Sequence, residues 1–264
     1  MNGTYIGNDR MLIRTQWGGI LVASASDLSL MPSLVLTGVF DRGLTKFFMT
    51  HLKPGHIVFD VGANLGYFSV LASYLVGDTG KIVSYEANDK VFGLLEENAS
   101  LNGLFTKGEI HNKAIYSKKD VLEFNVSEKL MGNSSIFAPD QAYDDMFKID
   151  TFKKVKVEAE PLDIYVNQYE CIDLIKVDIE GGEYHAFLGM EQLLEQKKVR
   201  NITFELNKLR MKENWDDMHR LLEKYENEKG FVYYTIDHEG KTHLTTLEEL
   251  FKQEFVENVL IKCH

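Results

Sequence analysis

The chain has 264 residues, of which 44% are apolar and 26% charged, with only four prolines. It is long enough for one large domain with a full core, and its composition excludes a disordered or low-complexity protein. Acidic residues outnumber basic ones by 40 to 29, giving a formal charge of -11. Such a field repels phosphate backbones and anionic lipid headgroups and disfavours nucleic acid as a partner.

In chain order, residues 1 to about 26 alternate like short strands. Met11 to Ile13 and Ile20 to Val22 flank Gln16-Trp17-Gly18-Gly19, which signals a hairpin. From Pro32 to Leu52, apolar residues recur at near-helical spacing, predicting one or two helices over a sheet edge. Residues 1–50 therefore read as an N-terminal ribbon and helical cap, and 51–264 as the main domain. That domain begins with the turn Pro54-Gly55 and the buried strand Ile57 to Val61. Strands and helices then alternate: helix 65–76, strand 81–85, helix 90–101, strand 109–115. This is the pattern of βαβ units on a parallel sheet.

Residues 116–160 interrupt the alternation with strands at 121–126 and 155–160, separated by a polar stretch from Met131 to Asp150. They read as an insertion on the acceptor side of the sheet, with Met131 to Ser135 suited to a lid. Lys153, Lys154 and Lys156 read as the solvated face of a strand rather than a basic patch. Regularity returns with helix 162–169, strand 172–177, helix 183–197 and strand 202–206. Helix 215–225 and strands 231–236 and 259–263 complete seven strands of a doubly wound α/β sheet.

Cys171 and Cys263 have no metal-ligand spacing and are too few for a disulfide framework, which suits a reducing compartment. No charged segment followed by an apolar run opens the chain. The longest apolar-rich stretch, Leu28 to Phe40, is interrupted by Pro32 and is too short to span a bilayer. The expectation is a cytoplasmic protein with no membrane partner.

The sharpest motif is Asp60-Val61-Gly62-Ala63-Asn64-Leu65-Gly66, placed between a predicted strand and a predicted helix. A dinucleotide fingerprint beginning at Gly62 needs glycine where Asn64 and Tyr67 stand, so it fails at two of three positions. The pattern acid-x-G-x-G-x-G matches at Asp60, Gly62 and Gly66, with Asn64 tolerating the same backbone conformations. That pattern belongs to S-adenosyl-L-methionine sites: Asp60 is read as helping to hold the ligand's ammonium, and Gly62 as letting backbone approach it. Gly66 is read as allowing a helix to pack closely on a strand. Glu86, 20 residues beyond Gly66, ends the second strand, where an acid can bond both ribose hydroxyls.

With these residues in view, the chain resembles the FkbM family of methyltransferases from about Phe40 to Leu206. The blocks that carry the likeness are Leu52-Lys53-Pro54-Gly55, Phe59 through Tyr67, Tyr85-Glu86-Ala87, Leu95 to Asn98 with Leu101-Asn102, and Ile175-Lys176-Val177-Asp178-Ile179-Glu180-Gly181. Family members commonly carry proline where Ala87 stands. The resemblance implies a Rossmann-like, seven-stranded class I methyltransferase fold, S-adenosyl-L-methionine as donor, and O-methylation of secondary-metabolite or sugar hydroxyls. The expected site residues for the cofactor are Asp60, Gly62, Asn64, Gly66, Tyr67, Glu86, Asn112 and Asp178, with Asn112 placed for adenine.

Methyl transfer to an alcohol needs a base. Asp178, at the end of a strand and facing the ligand edge, is the first candidate, with Glu205 and His185 beside it and Glu180 read as bracing the loop. Asp178, Glu205 and Asn207 form an alternative oxygen set for Mg or Ca. The expected partner is a small-molecule or glycan acceptor, and a homodimer is a candidate assembly. Three other readings stay open: a nicotinamide-dependent oxidoreductase on a similar core, a methyltransferase acting on RNA or protein, and a non-catalytic binding module.

Overall fold

The structure, a computed structural model, describes residues 2–138 and 149–263. Part of the polar stretch between the two insertion strands, residues 139–148, lies outside the described residues. A three-stranded antiparallel ribbon comes first: β1 (Gly3–Gly7), β2 (Arg10–Arg14) and β3 (Ile20–Ser24). Helices α1 (Met31–Thr37) and α2 (Arg42–His51) follow, the second capped by the Asp41 carboxylate, which accepts from the Leu44 N–H.

The central sheet is built from β4 (Ile57–Val61), β5 (Lys81–Tyr85), β6 (Gly108–His111), β10 (Leu174–Val177), β11 (Asn201–Asn207), β12 (Val232–Ile236), β13 (Thr242–Thr245) and β14 (Phe255–Lys262), in the spatial order β13-β12-β14-β11-β10-β4-β5-β6. β4, β5, β6, β10 and β11 run parallel, and β14 returns antiparallel between β11 and β12. The seven strands read from the sequence are present. The eighth, β13, is an edge strand made by a hairpin in which the Asp237 carboxylate holds the turn through the Glu239 and Lys241 N–H groups. The order reverses between β4 and β5 on one side and β10 and β11 on the other, the place where such sheets bind ligands.

Helices cover both faces. On one side the ribbon, α1, α2, α3 (Tyr67–Val76) and α4 (Asp89–Leu101) enclose a core containing Phe48, Val58, Phe68 and Leu174. On the other side α5 (Glu183–Leu188), α6 (Glu191–Glu195), α7 (Lys208–Met211), α8 (Trp215–Lys229) and α9 (Leu247–Phe251) surround Phe59, Val177, Phe187 and Phe204. Because side chains alternate along a strand, Phe59 and Val61 face the second core while Val58 and Asp60 face the first.

Two predicted elements divide and a third shortens. The stretch 109–115 is two strands: β6 stays in the central sheet, whereas β7 (Ala114–Ile115) leaves it to pair with β9 (Phe152–Glu160), which also pairs with β8 (Asp120–Ser127). The predicted helix 183–197 is α5 and α6, broken at Gly189, where a Cβ would lie 2.2 Å from the Tyr116 carbonyl oxygen. The predicted helix 162–169 shrinks to a single tight turn, Leu162–Tyr165, whose Asp163 carboxylate caps α6 through Gln192 and Leu193. Among the described residues no helix is long and apolar enough to cross a membrane.

Candidate active site

The order of β5, β4, β10 and β11 places four polar side chains side by side on one face. Ser84, Asp60, Lys176 and Thr203 occupy matching register positions and point toward α2 and α3. All four are buried. Ser69 of α3 donates to Asp60 Oδ2 at 2.6 Å, and Ser84 donates to Ser69 Oγ at 2.9 Å. Lys176 Nζ lies 3.2 Å from Asp60 Oδ1 and 3.5 Å from Asp178 Oδ2, donates to the Gly62 carbonyl, and sits over the Phe68 ring. Burial alone would lower the Lys176 pKa, but the carboxylates of Asp60 and Asp178 overcome it and hold the ammonium above its usual range. The row ends at Thr203, whose hydroxyl has no hydrogen-bond partner among the described residues.

Above this row lies a cavity of about 160 Å³, walled by residues from the ends of β4, β5, β7 and β10. Gly62, Asn64 and Tyr67 line it, as do Glu86 and Asp178. Glu86 is held in place by two backbone donors, Asn64 N–H at 2.9 Å and Asn88 N–H at 2.8 Å. Burial pushes its carboxyl up to about 7 despite those donors. Asn64 adopts a left-handed backbone (φ 52°), which aims its N–H at Glu86. Ala114, Ile115 and Phe124 give the cavity an apolar wall beyond Glu86.

The roof comes from two loops tied together by one residue. The Asp27 carboxylate accepts from Ser29, Leu30 and Met131 N–H groups, and Ser29 Oγ accepts from Gly132 N–H. The loop after β10 is fixed from outside the cavity. Glu180, itself left-handed at φ 56°, pairs with Arg210 at 3.1 Å, and its carbonyl accepts from Ser135 Oγ.

Several expected roles change on this geometry. Asp60 is fully buried beneath the loop, absent from the cavity wall, and engaged with Ser69 and Lys176. The openness of Gly62 serves the protein's own backbone: a Cβ there would stand 1.8 Å from the Asp178 carbonyl oxygen. Gly66 gives room to Leu95 of α4, 2.7 Å from where a Cβ would be, so the close packing is between two helices. Tyr67 contacts the cavity with its ring while its hydroxyl meets Thr45 Oγ1 at 3.1 Å. Asn112 lies outside the cavity and donates to the Glu86 carbonyl, steadying the turn after β5. His185 is not among the residues that line the cavity; it packs on the Tyr116 ring, and burial lowers its pKa.

Glu205 lines a second cavity, of about 150 Å³, that shares Phe40, Lys176, Asp178 and Glu180 with the first. The oxygen set for Mg or Ca does not assemble. Asn207 donates to Glu205 and its Oδ1 accepts from Arg210 N–H, and among the described residues no three His, Cys, Asp or Glu side chains converge to hold an ion. Sequence reasoning missed Lys176 as a functional residue. The signal was a lone lysine inside the buried run Leu174-Ile175-Lys176-Val177, which no strand core tolerates without a charged partner.

With the switch-point cavity, its glycine loop and its two facing carboxylates in place, comparison with known proteins decides the family. The model of the methyltransferase FkbM domain matches residues 60–233. The chain belongs to the FkbM methyltransferase family. This FkbM-family methyltransferase is 24% identical over 179 residues to the methyltransferase sdnD of Sordaria araneosa, covering 60% of this chain and 68% of that protein. It is similar to the solved methyltransferase FkbM from Methylobacillus flagellatus KT at 14% identity and a TM-score of 0.46, with 79% of this chain and 43% of that one covered. It thus spans less than half the length of that structure. A SAM-dependent O-methyltransferase from Thermotoga maritima is also similar, at 14% identity and a TM-score of 0.43, covering 96% of this chain and 77% of that one.

Proposed function

We propose that this methyltransferase uses S-adenosylmethionine to methylate a hydroxyl oxygen of a small molecule or glycan. One observation carries the reading: Glu86 and Asp178, at the ends of β5 and β10, face a single cavity from either side of the loop that follows β4. S-adenosylmethionine, when bound, supplies a methyl group activated on a sulfonium. The chain's residues fit such a molecule. Glu86 has acceptor capacity left for a pair of ribose hydroxyls after its two backbone bonds. The apolar wall at Ala114, Ile115 and Phe124 suits a flat base.

At the other end, Asp178 has a side chain 39% exposed and is the accessible carboxylate next to Lys176. It is placed to take the proton of an incoming hydroxyl, while the roof loops exclude water. Titration calorimetry with S-adenosylmethionine, S-adenosylhomocysteine and NAD tests the donor. Micromolar binding of both adenosyl compounds and none of NAD is expected; the reverse would hand the site to a nicotinamide chemistry.

Two further results are expected. Asp178→Asn keeps its affinity for S-adenosylhomocysteine but loses about 10²–10⁴-fold in turnover, the usual contribution of a positioned base. Full turnover in that variant would remove Asp178 from the chemistry. The second result concerns pH. With its carboxyl near 7, Glu86 in the free protein is largely protonated at about pH 6 and largely ionised at about pH 8. Hydroxyl donors prefer the ionised form, so S-adenosylhomocysteine binds about tenfold more tightly at the higher pH. Glu86→Gln flattens that dependence; an unchanged slope would place the titrating group elsewhere.

A further inference from the structure

The second cavity has an unusual balance of charge. Asp41, Asp178, Glu180, Glu205 and Glu257 all line it. The cations beside them are already committed, Lys176 to Asp60 and Asp178, and Arg210 to Glu180. Among the described residues, Asp41, Glu205 and Glu257 make no salt bridge. Asp41 accepts from Leu44 N–H and Asn258 Nδ2, and Glu205 from Asn207 Nδ2, so each has only neutral donors. Burial pushes all three of these carboxyls upward.

An acidic cluster alone is no site, but here a second observation points to a ligand. Thr203, 1% exposed, ends the polar row in the wall of this cavity with its hydroxyl unpartnered among the described residues. A buried hydroxyl costs free energy unless something bonds to it, and Thr203 is part of this cavity's lining. The two cavities also share Asp178 in their walls, which sets the second beside the first.

The geometry points to the second cavity as the acceptor subsite, taking an acceptor that carries an ammonium group beside the hydroxyl to be methylated, as an amino sugar or amino alcohol does. The ammonium sits among Asp41, Glu205 and Glu257, a neighbouring hydroxyl meets Thr203, and the reacting hydroxyl faces Asp178. Anionic acceptors are repelled by the same carboxylates. The inference rests on the proposed O-methyl transfer for the choice of reacting group, and on the cavity's own charge for the choice of substrate class.

Titration of the full chain with glucosamine, glucose and glucuronate, each with and without S-adenosylhomocysteine, tests it. Glucosamine is expected to bind at least about tenfold more tightly than glucose, one unpaired charge's worth of discrimination, and glucuronate not at all. Glu257→Gln and Glu205→Gln each weaken glucosamine several-fold, with thermal midpoints reporting that both variants fold. Thr203→Val lowers affinity for glucosamine and glucose alike. Equal binding of glucose and glucosamine, preference for glucuronate, or no glucosamine binding at all overturns the proposal, as does Glu205-dependent binding of Mg²⁺ that the amine fails to displace. Failure of S-adenosylhomocysteine to bind while glucosamine does would instead sink the donor assignment and leave the amine site standing.

Discussion

Lys176→Met unfolds at a much lower urea concentration than the wild-type chain. The side chains of Lys176 and Asp60 are 4% and 1% exposed, so removing the ammonium leaves a carboxylate deep in the protein with only Ser69 to compensate. Losing one partner of a buried ion pair costs about 3–5 kcal/mol, because the remaining charge keeps its desolvation penalty and loses its attraction. Methionine preserves most of the packing against Phe68, so the loss reports charge and not volume. The double variant Asp60→Asn with Lys176→Met removes both charges and recovers much of the deficit. If the single variant were as stable as wild type, water would have to reach the pair. If the double variant recovered nothing, the lysine's contacts with Gly62 and Asp178 would be the larger contribution.

The second large effect is Gly62→Ala, expected to abolish cofactor binding and to destabilise the fold together. At φ +78° any side chain is strained, at roughly 1–2 kcal/mol. The new methyl would also stand 1.8 Å from the Asp178 carbonyl oxygen, a backbone atom that cannot swing aside. The loops after β4 and β10 must then separate, and with them the two ends of the cavity. Gly93, inside α4 with no atom near its would-be Cβ, is the control: Gly93→Ala stabilises by about 0.5–1 kcal/mol through helix propensity. Both are read by thermal melting, with S-adenosylhomocysteine titration of the folded fraction. A Gly62→Ala protein that binds normally would show that the loops tolerate separation.

The central sheet was legible in the sequence because parallel strands buried on both faces read as short apolar runs between helical patterns. Ile57 to Val61 and Leu174 to Val177 both carry that signature. Where the reading failed, the cause was non-local. Nothing in residues 109–115 marks the point at which the chain leaves one sheet for another, since β7 exists only because Ala159 and Glu160 lie alongside it. The helix breaks at Gly189, where the carbonyl of Tyr116, far away in sequence, leaves no room for a side chain. The site shows the same division. Glu86 and Asp178 were recognisable from motif and strand position. That Asp60, Asn112 and His185 lie outside the cavity wall emerges only once the chain is folded. Asp41, Thr203 and Glu257 come from three separate elements and share a wall only after folding.

The glycine-bearing turn after β4 is assembled from two distant parts of the chain. Its first half closes locally: Gly62 and Ala63 N–H groups both bond to the Tyr85 carbonyl. Its second half waits for β10, since Asp178 N–H bonds to Val61 and Lys176 reaches Gly62 across a separation of 114 residues. The acid at the centre of β4 is thus neutralised by a strand more than a hundred residues further along the chain. The ligand pocket therefore depends on β10, and chains truncated before it are expected to lack both the partner of Asp60 and one wall of the cavity.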